Sequence, residues 1–225
     1  MVDARLPQDV RVPRVAGFAA WPHDTSPKQV GKAARERLPR AAHGRPEHWA
    51  WRERRNGAGA AVEAVERSNT GRIPELVPLR VGRMAAGPFA FLRGSAGLMA
   101  ADLADAPVTG IGAQICGDAH AANFGLYGDA RGGLVMDIND FDETVPGPWE
   151  WDVKRLVTSL VLAGREAGAA EDVCRAAAYD AVGAYRRTMR LLAKLPVIEA
   201  WNAIADEELV THADARDLLG TLDQV

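Results

Sequence analysis

Ile115-Cys116-Gly117-Asp118-Ala119-His120-Ala121-Ala122-Asn123-Phe124-Gly125 is the stretch on which the reading of this chain turns. A second run, Leu134-Val135-Met136-Asp137-Ile138-Asn139-Asp140-Phe141-Asp142-Glu143, follows it closely. An apolar strand stops at Gly117, whose missing Cβ lets the backbone turn sharply and sets Asp118 at the start of a loop. Asn123 opens the next strand and Asp137 ends the one that returns. The turn residues between them, Gly128-Asp129-Ala130-Arg131-Gly132-Gly133, predict a hairpin. Such a hairpin brings Asn123 and Asp137 together across its base. One amide oxygen and one carboxylate then suit a hard cation such as Mg²⁺, while Asp118 is left to accept a proton or orient a nucleophile.

Outward from this core, the spacing predicts mostly helix. Ser26-Pro27 reads as a cap followed by a first-turn proline, starting a helix that runs to about Leu38. Gly59 to Ser68 has helical spacing, and so does Ser95 to Ala104, with Leu98, Met99 and Leu103 on one face. The clearest helix starts at Trp149, where Val153, Leu156, Val157, Leu160, Val161 and Gly164 follow at three- and four-residue steps. A second long helix is expected over about Ala170 to Leu195 and stops at Pro196. Pro74 and Pro78 predict an extended connector, and Pro146-Gly147-Pro148 reads as the closure of the hairpin region. The basic, aromatic segment Arg40 to Arg55 reads as a surface loop or short helix, and shorter acidic helical pieces are expected around Trp201 and Leu218-Leu219.

Composition narrows the function. Of 225 residues 48% are hydrophobic and 25% charged, which describes a soluble globular chain. A net charge of -3 supplies no basic excess for neutralising phosphates, so no nucleic-acid partner is expected. The two cysteines, Cys116 and Cys174, make neither a disulfide scaffold nor a zinc knuckle. With no apolar leader and no apolar run of spanning length, the expected setting is the cytoplasm, away from membranes.

The pattern Gly-Asp-x-His-x-x-Asn, carried by Gly117, Asp118, His120 and Asn123, resembles the catalytic loop of aminoglycoside and choline phosphotransferases of the protein-kinase-like superfamily. There the motif usually begins with His, where this chain has Cys116. The resemblance implies Asp118 as catalytic base, His120 as a residue ordering the loop, Asn123 as a metal ligand and Asp137 as the main metal ligand. Asp140 and Asp142 are alternatives or supplements to Asp137. Asp152 would bond back to the loop amides. Mg²⁺ and ATP are the implied cofactors; the partners are a nucleotide and an unknown small-molecule or protein acceptor. Arg93, Lys154 and Arg155 are candidate phosphate contacts, Arg155 also fitting an ion pair within the helix site.

A closer resemblance rests on more motifs: Phe89-Ala90-Phe91-Leu92-Arg93-Gly94, Cys116-Gly117-Asp118-Ala119-His120, Asn123-Phe124-Gly125, Asp137 to Glu143, and Pro146-Gly147-Pro148-Trp149-Glu150-Trp151-Asp152-Val153-Lys154-Arg155-Leu156. Together they are similar to the bacterial domain-of-unknown-function family 2252, over about residues 30 to 210. What this implies is an α+β, mostly helical fold like the C-terminal lobe of a kinase, with a small β-hairpin beside the catalytic loop. Members of that family usually run past 225 residues and carry a later Gly-rich segment and a Lys resembling a nucleotide-binding lobe. Here the glycine clusters are Gly57-Ala58-Gly59 and Gly132-Gly133, neither after a convincing strand. The expectation is therefore an extended or disordered arm over 1–26 and a single kinase-like domain over 27–225, incomplete at its C-terminal side.

The functional expectation is a Mg-dependent phosphotransferase acting on a hydroxyl acceptor. A metal-dependent phosphoesterase is one alternative, although His23, His43, His48 and His212 lack matching ligand spacing. Asp140-Phe141-Asp142 alone would fit the short Asp-x-Asp site of sugar-nucleotide transferases. A non-catalytic pseudoenzyme or binding module is another alternative, and a solvated acidic turn is the plainest reading of the second run.

Overall fold

The computed structural model describes residues 26–44, 58–104, 106–128 and 132–201. The expected arm over 1–26, apart from Ser26, lies outside them, as do the segment from Arg45 to Arg55 and the pieces beyond Trp201. The fold is α+β and mostly helical, with two small two-stranded sheets. Its described residues divide into two compact units: those within 1–120 and 140–156, and those within 121–139 and 157–225. Among the described residues no helix is long and apolar enough to cross a membrane.

The first unit opens with α1 (Pro27–Arg37). Ser26 caps it reciprocally: the Gln29 amide donates to Ser26 Oγ at 3.3 Å and the Ser26 amide donates to Gln29 Oε1 at 3.2 Å. The helix ends before Pro39, burying Ala34 and then Leu38. α2 (Ala58–Arg67) follows. The connector expected to be extended at Pro74 and Pro78 is instead a 3-10 turn, Pro74–Leu76, running into α3 (Val77–Met84). Both prolines sit in a first turn, where the missing N–H has no helical acceptor and the fixed φ suits the helix. α4 (Pro88–Arg93) and α5 (Ala96–Leu103) come next and bury Leu92, Leu98 and Leu103.

β1 (Gly112–Ile115) pairs antiparallel with β4 (Val145–Pro148), from Gly112 opposite Pro148 to Ile115 opposite Val145. The Pro-Gly-Pro run thus forms a strand of its own where a hairpin closure was expected. Its prolines occupy alternate positions of a strand with one neighbour, so their missing N–H groups cost the ladder nothing. Gly147 leaves room for Ile115: a Cβ there would lie 2.7 Å from Ile115 Cδ1.

In the second unit, β2 (Phe124–Gly128) and β3 (Leu134–Ile138) form the expected hairpin, with Phe124 opposite Ile138 and Gly125 opposite Asp137. Helix α6 (Trp149–Glu166) begins in the first unit and continues in the second. It closes through Gly168, whose φ of +78° an L side chain rarely adopts, with the Ala169 amide donating back to the Gly164 carbonyl. α7 (Glu171–Leu192) then packs Cys174 on Gly164, where a Cβ would come within 2.7 Å of Cys174 Sγ. The short α8 (Val197–Trp201) follows Pro196.

Candidate active site

The loop after β1 is shaped by its glycine. Gly117 has φ +80°, and a Cβ there would stand 2.2 Å from the Glu143 carbonyl oxygen. Both the left-handed backbone and the close approach exclude a side chain. Cys116 beside it is buried and donates its thiol to the Asp140 carbonyl at 3.4 Å. Burial pushes that thiol up from its ordinary pKa, so Cys116 closes the turn as an inert group.

The bond expected from Asp152 is present. Its Oδ2 accepts the Cys116 amide at 2.7 Å and its Oδ1 accepts the Gly117 amide at 3.0 Å. Burial raises the Asp152 pKa, and these two amide bonds hold it back. One turn on, Arg155 is buried, with Nε donating to Asp118 Oδ1 at 2.6 Å and Nη2 to the Leu92 carbonyl at 2.6 Å. Nη2 also pairs with Asp118 Oδ1, and Nη1 points at Met99 Sδ, 3.7 Å away. Arg155 therefore takes the ion-pair role, with its fork engaged inside the protein. Asp118 is the open partner, its side chain 21% exposed against 3% for Arg155.

His120 is buried with Nε2 3.6 Å from Asp118 Oδ2, longer than a hydrogen bond. Its Nδ1 has no hydrogen-bond partner, and its ring meets Phe89 edge-on at 6.4 Å. Burial lowers the His120 pKa, opposed by Asp118 and reinforced by Arg155 and Arg93. Its backbone amide closes the loop on the Asp118 carbonyl at 2.8 Å.

In the second unit, Ala121–Asn123 forms a 3-10 turn whose Ala121 amide donates to Ser159 Oγ at 2.8 Å. Asn123 is buried, and its carbonyl accepts the Asn139 amide at 3.0 Å, extending the hairpin register by one pair. Gly125 and Asp137 stand opposite one another in the ladder, while Asn123 lies in the turn just before it. Asp137 is exposed, and its Oδ1 accepts the Ile138 amide.

The other expected site residues fall elsewhere. Asp140 and Asp142 are exposed in the first unit, tied by the Asp142 amide donating to Asp140 Oδ1 at 3.1 Å. Asn123 and Asp137 thus fall in the second unit, and Asp140 and Asp142 in the first. Arg93 is exposed at the end of α4. Lys154 is half-buried; burial lowers its pKa, with Glu150 opposing, and its charge acts on His43. Among the described residues, no three His, Cys, Asp or Glu side chains converge where a metal ion could sit.

Sequence reasoning missed Ser159, whose Oγ accepts the Ala121 amide. It follows Asp152 and Arg155 at helical spacing, and that spacing was the available signal. Glu150 was also missed: it is buried, with Oε1 accepting the Thr109 amide at 2.6 Å.

Neither a search of the curated proteins nor a search of the solved structures finds a match. A family model matches residues 72–225, well over half of the chain, and takes in every motif from Phe89 to Leu156. The chain belongs to the family described as an uncharacterized protein conserved in bacteria, DUF2252.

Proposed function

We propose that the chain is a Mg²⁺-dependent phosphotransferase of the protein-kinase-like type, passing a nucleotide's phosphoryl group to a hydroxyl acceptor. The observation that carries this reading is the Asp152 carboxylate taking the Cys116 and Gly117 amides. That bond fixes a Gly-Asp-x-His-x-x-Asn loop from a following helix, as the resemblance to aminoglycoside and choline phosphotransferases implies. In such chemistry the protein mainly positions groups and stabilises charge. Asp118 would orient the acceptor hydroxyl and take its proton. Asn123, just before β2, and Asp137, in β3, offer one amide and one carboxylate oxygen. That donor pair fits Mg²⁺, which keeps waters and phosphate oxygens for its remaining positions. When bound, the ion would neutralise the phosphate charge. Arg93, exposed and felt by His120, is the phosphate contact this reading favours.

Calorimetric titration of ATP and ADP, with and without Mg²⁺, tests the proposal. Mg²⁺-dependent binding is expected. Asp137→Asn should weaken it on the order of tenfold or more, as loss of a charged contact of about 1.5–3 kcal/mol implies. No nucleotide binding at all, with turnover of a generic phosphate ester, would instead support metal-dependent hydrolysis.

A further inference from the structure

We infer that Arg155 is the positioning residue for Asp118, and that through it the end of α4 belongs to the catalytic apparatus; this rests on the phosphotransfer reading of the site. The guanidinium is sealed in the first unit, 3% exposed, while the carboxylate it grips is 21% exposed. Here the guanidinium holds Oδ1 of Asp118 from the protein side, and the carboxylate keeps access to solvent. The geometry needs a fork: Nε and Nη2 both address Asp118 Oδ1, and Nη2 also holds the Leu92 carbonyl. A lysine supplies the charge at one point only, without the planar set of donors.

The second anchor explains why α4 matters. Leu92 is the penultimate residue of that helix, and the exposed Arg93 follows it. The next carbonyl but one, from Gly94, accepts Arg80 Nη2 at 2.7 Å, and Ser95 Oγ donates to the Phe91 carbonyl at 2.7 Å. Two guanidiniums and a hydroxyl therefore hold the terminal carbonyls of α4, the negative end of its peptide dipoles. Arg93 is held on the same backbone that Arg155 links to Asp118. An anion drawn to Arg93 is thereby indexed to the carboxylate.

Arg155→Lys is the test, with Mg²⁺·ATP as the probe and water as the acceptor. The expected result is a kcat lowered about a hundredfold by misplacement of the base, with KM for Mg²⁺·ATP little changed. Hydrogen exchange at the amides of Cys116 to His120 should accelerate in the same variant. Should Arg155→Lys fail to fold, Asp118→Asn, which alters the partly exposed partner, should accelerate exchange at the same amides. A folded Arg155→Lys with wild-type kcat, or loop amides that exchange no faster in either variant, would overturn the inference. A wild-type chain that neither binds nor turns over Mg²⁺·ATP strikes the phosphotransfer reading instead, and the exchange comparison alone then decides the role of Arg155.

Discussion

Asp152 serves two backbone donors with one carboxylate, and an amide cannot do the same. In Asp152→Asn only one oxygen remains, so either the Cys116 or the Gly117 amide faces an NH₂ group. The variant should lose about 1.5–3 kcal/mol, the worth of a hydrogen bond to a charged group, as read by urea unfolding. The pH dependence of that loss has a definite sign. Burial holds the folded-state Asp152 pKa above its ordinary value of 3.8, so the folded chain binds this proton more readily than the unfolded one. Wild-type stability from this group is therefore greatest in acid and declines as pH rises through the raised value. Asparagine does not titrate. The gap between wild type and Asp152→Asn should be wider in mild acid than near neutrality, and a gap that narrows on acidification would contradict the burial argument.

The hairpin is the element on which the proposed metal pair depends, and its face is packed by a glycine. A Cβ on Gly125 would stand 2.4 Å from Asn139 Oδ1 and 2.8 Å from its Nδ2. Asn139 Oδ1 in turn accepts the Tyr127 hydroxyl at 2.7 Å. Gly125→Ala should push Asn139 aside and break that bond, costing about 1–3 kcal/mol by overpacking. Thermal unfolding checks the cost. A Gly125→Ala/Asn139→Ala double variant should recover part of it, since the clash goes with the side chain that is hit. This hairpin was legible in the sequence through its turn chemistry. So were α1, through Ser26-Pro27, and α6 and α7, through their apolar periodicity. α3 was hidden because Pro74 and Pro78 favour extended backbone before them as well as helix after them. β4 was hidden because Pro-Gly-Pro carries turn chemistry, and pairing with β1 is a long-range matter. The loop was legible as a motif through Asp118 and Asn123. An ion pair at Arg155 was legible as one alternative, but its partners Asp118 and Leu92 were not, since only packing brings them to it.

At the scale of the molecule, the shifted titrating groups that are wholly or half buried fall, among the described residues, in the first unit. His43, His120, Asp152 and Lys154 all lie there, whereas Glu171 in the second unit is fully exposed and is drawn down to about 2 by Arg165 and Arg175. For His43 and His120, burial is the largest cause and lowers the pKa below 6.5. Lys154 lowers that of His43 further and Glu150 opposes; Arg155 and Arg93 act with burial on His120 and Asp118 opposes. A depressed imidazole binds fewer protons folded than unfolded, so stability is lost as pH falls below 6.5 toward the folded values. Asp152 works in the opposite sense, but it is one group against two, and its ordinary value of 3.8 places its window lower. Lys154 follows the imidazoles: its lowered value makes stability rise as pH climbs toward 10.5. The chain should therefore be more stable on the alkaline side of neutrality than in mild acid. Urea unfolding across this range checks it, and His43→Gln with His120→Gln should flatten the slope just below 6.5, whatever the double variant costs at neutral pH. Exposed Glu171 cannot supply the same slope, since its contribution is lost only as pH falls from 4.5 through about 2 and solvent screens it. A slope that survives removal of both imidazoles would mean that the acid sensitivity lies outside these two rings.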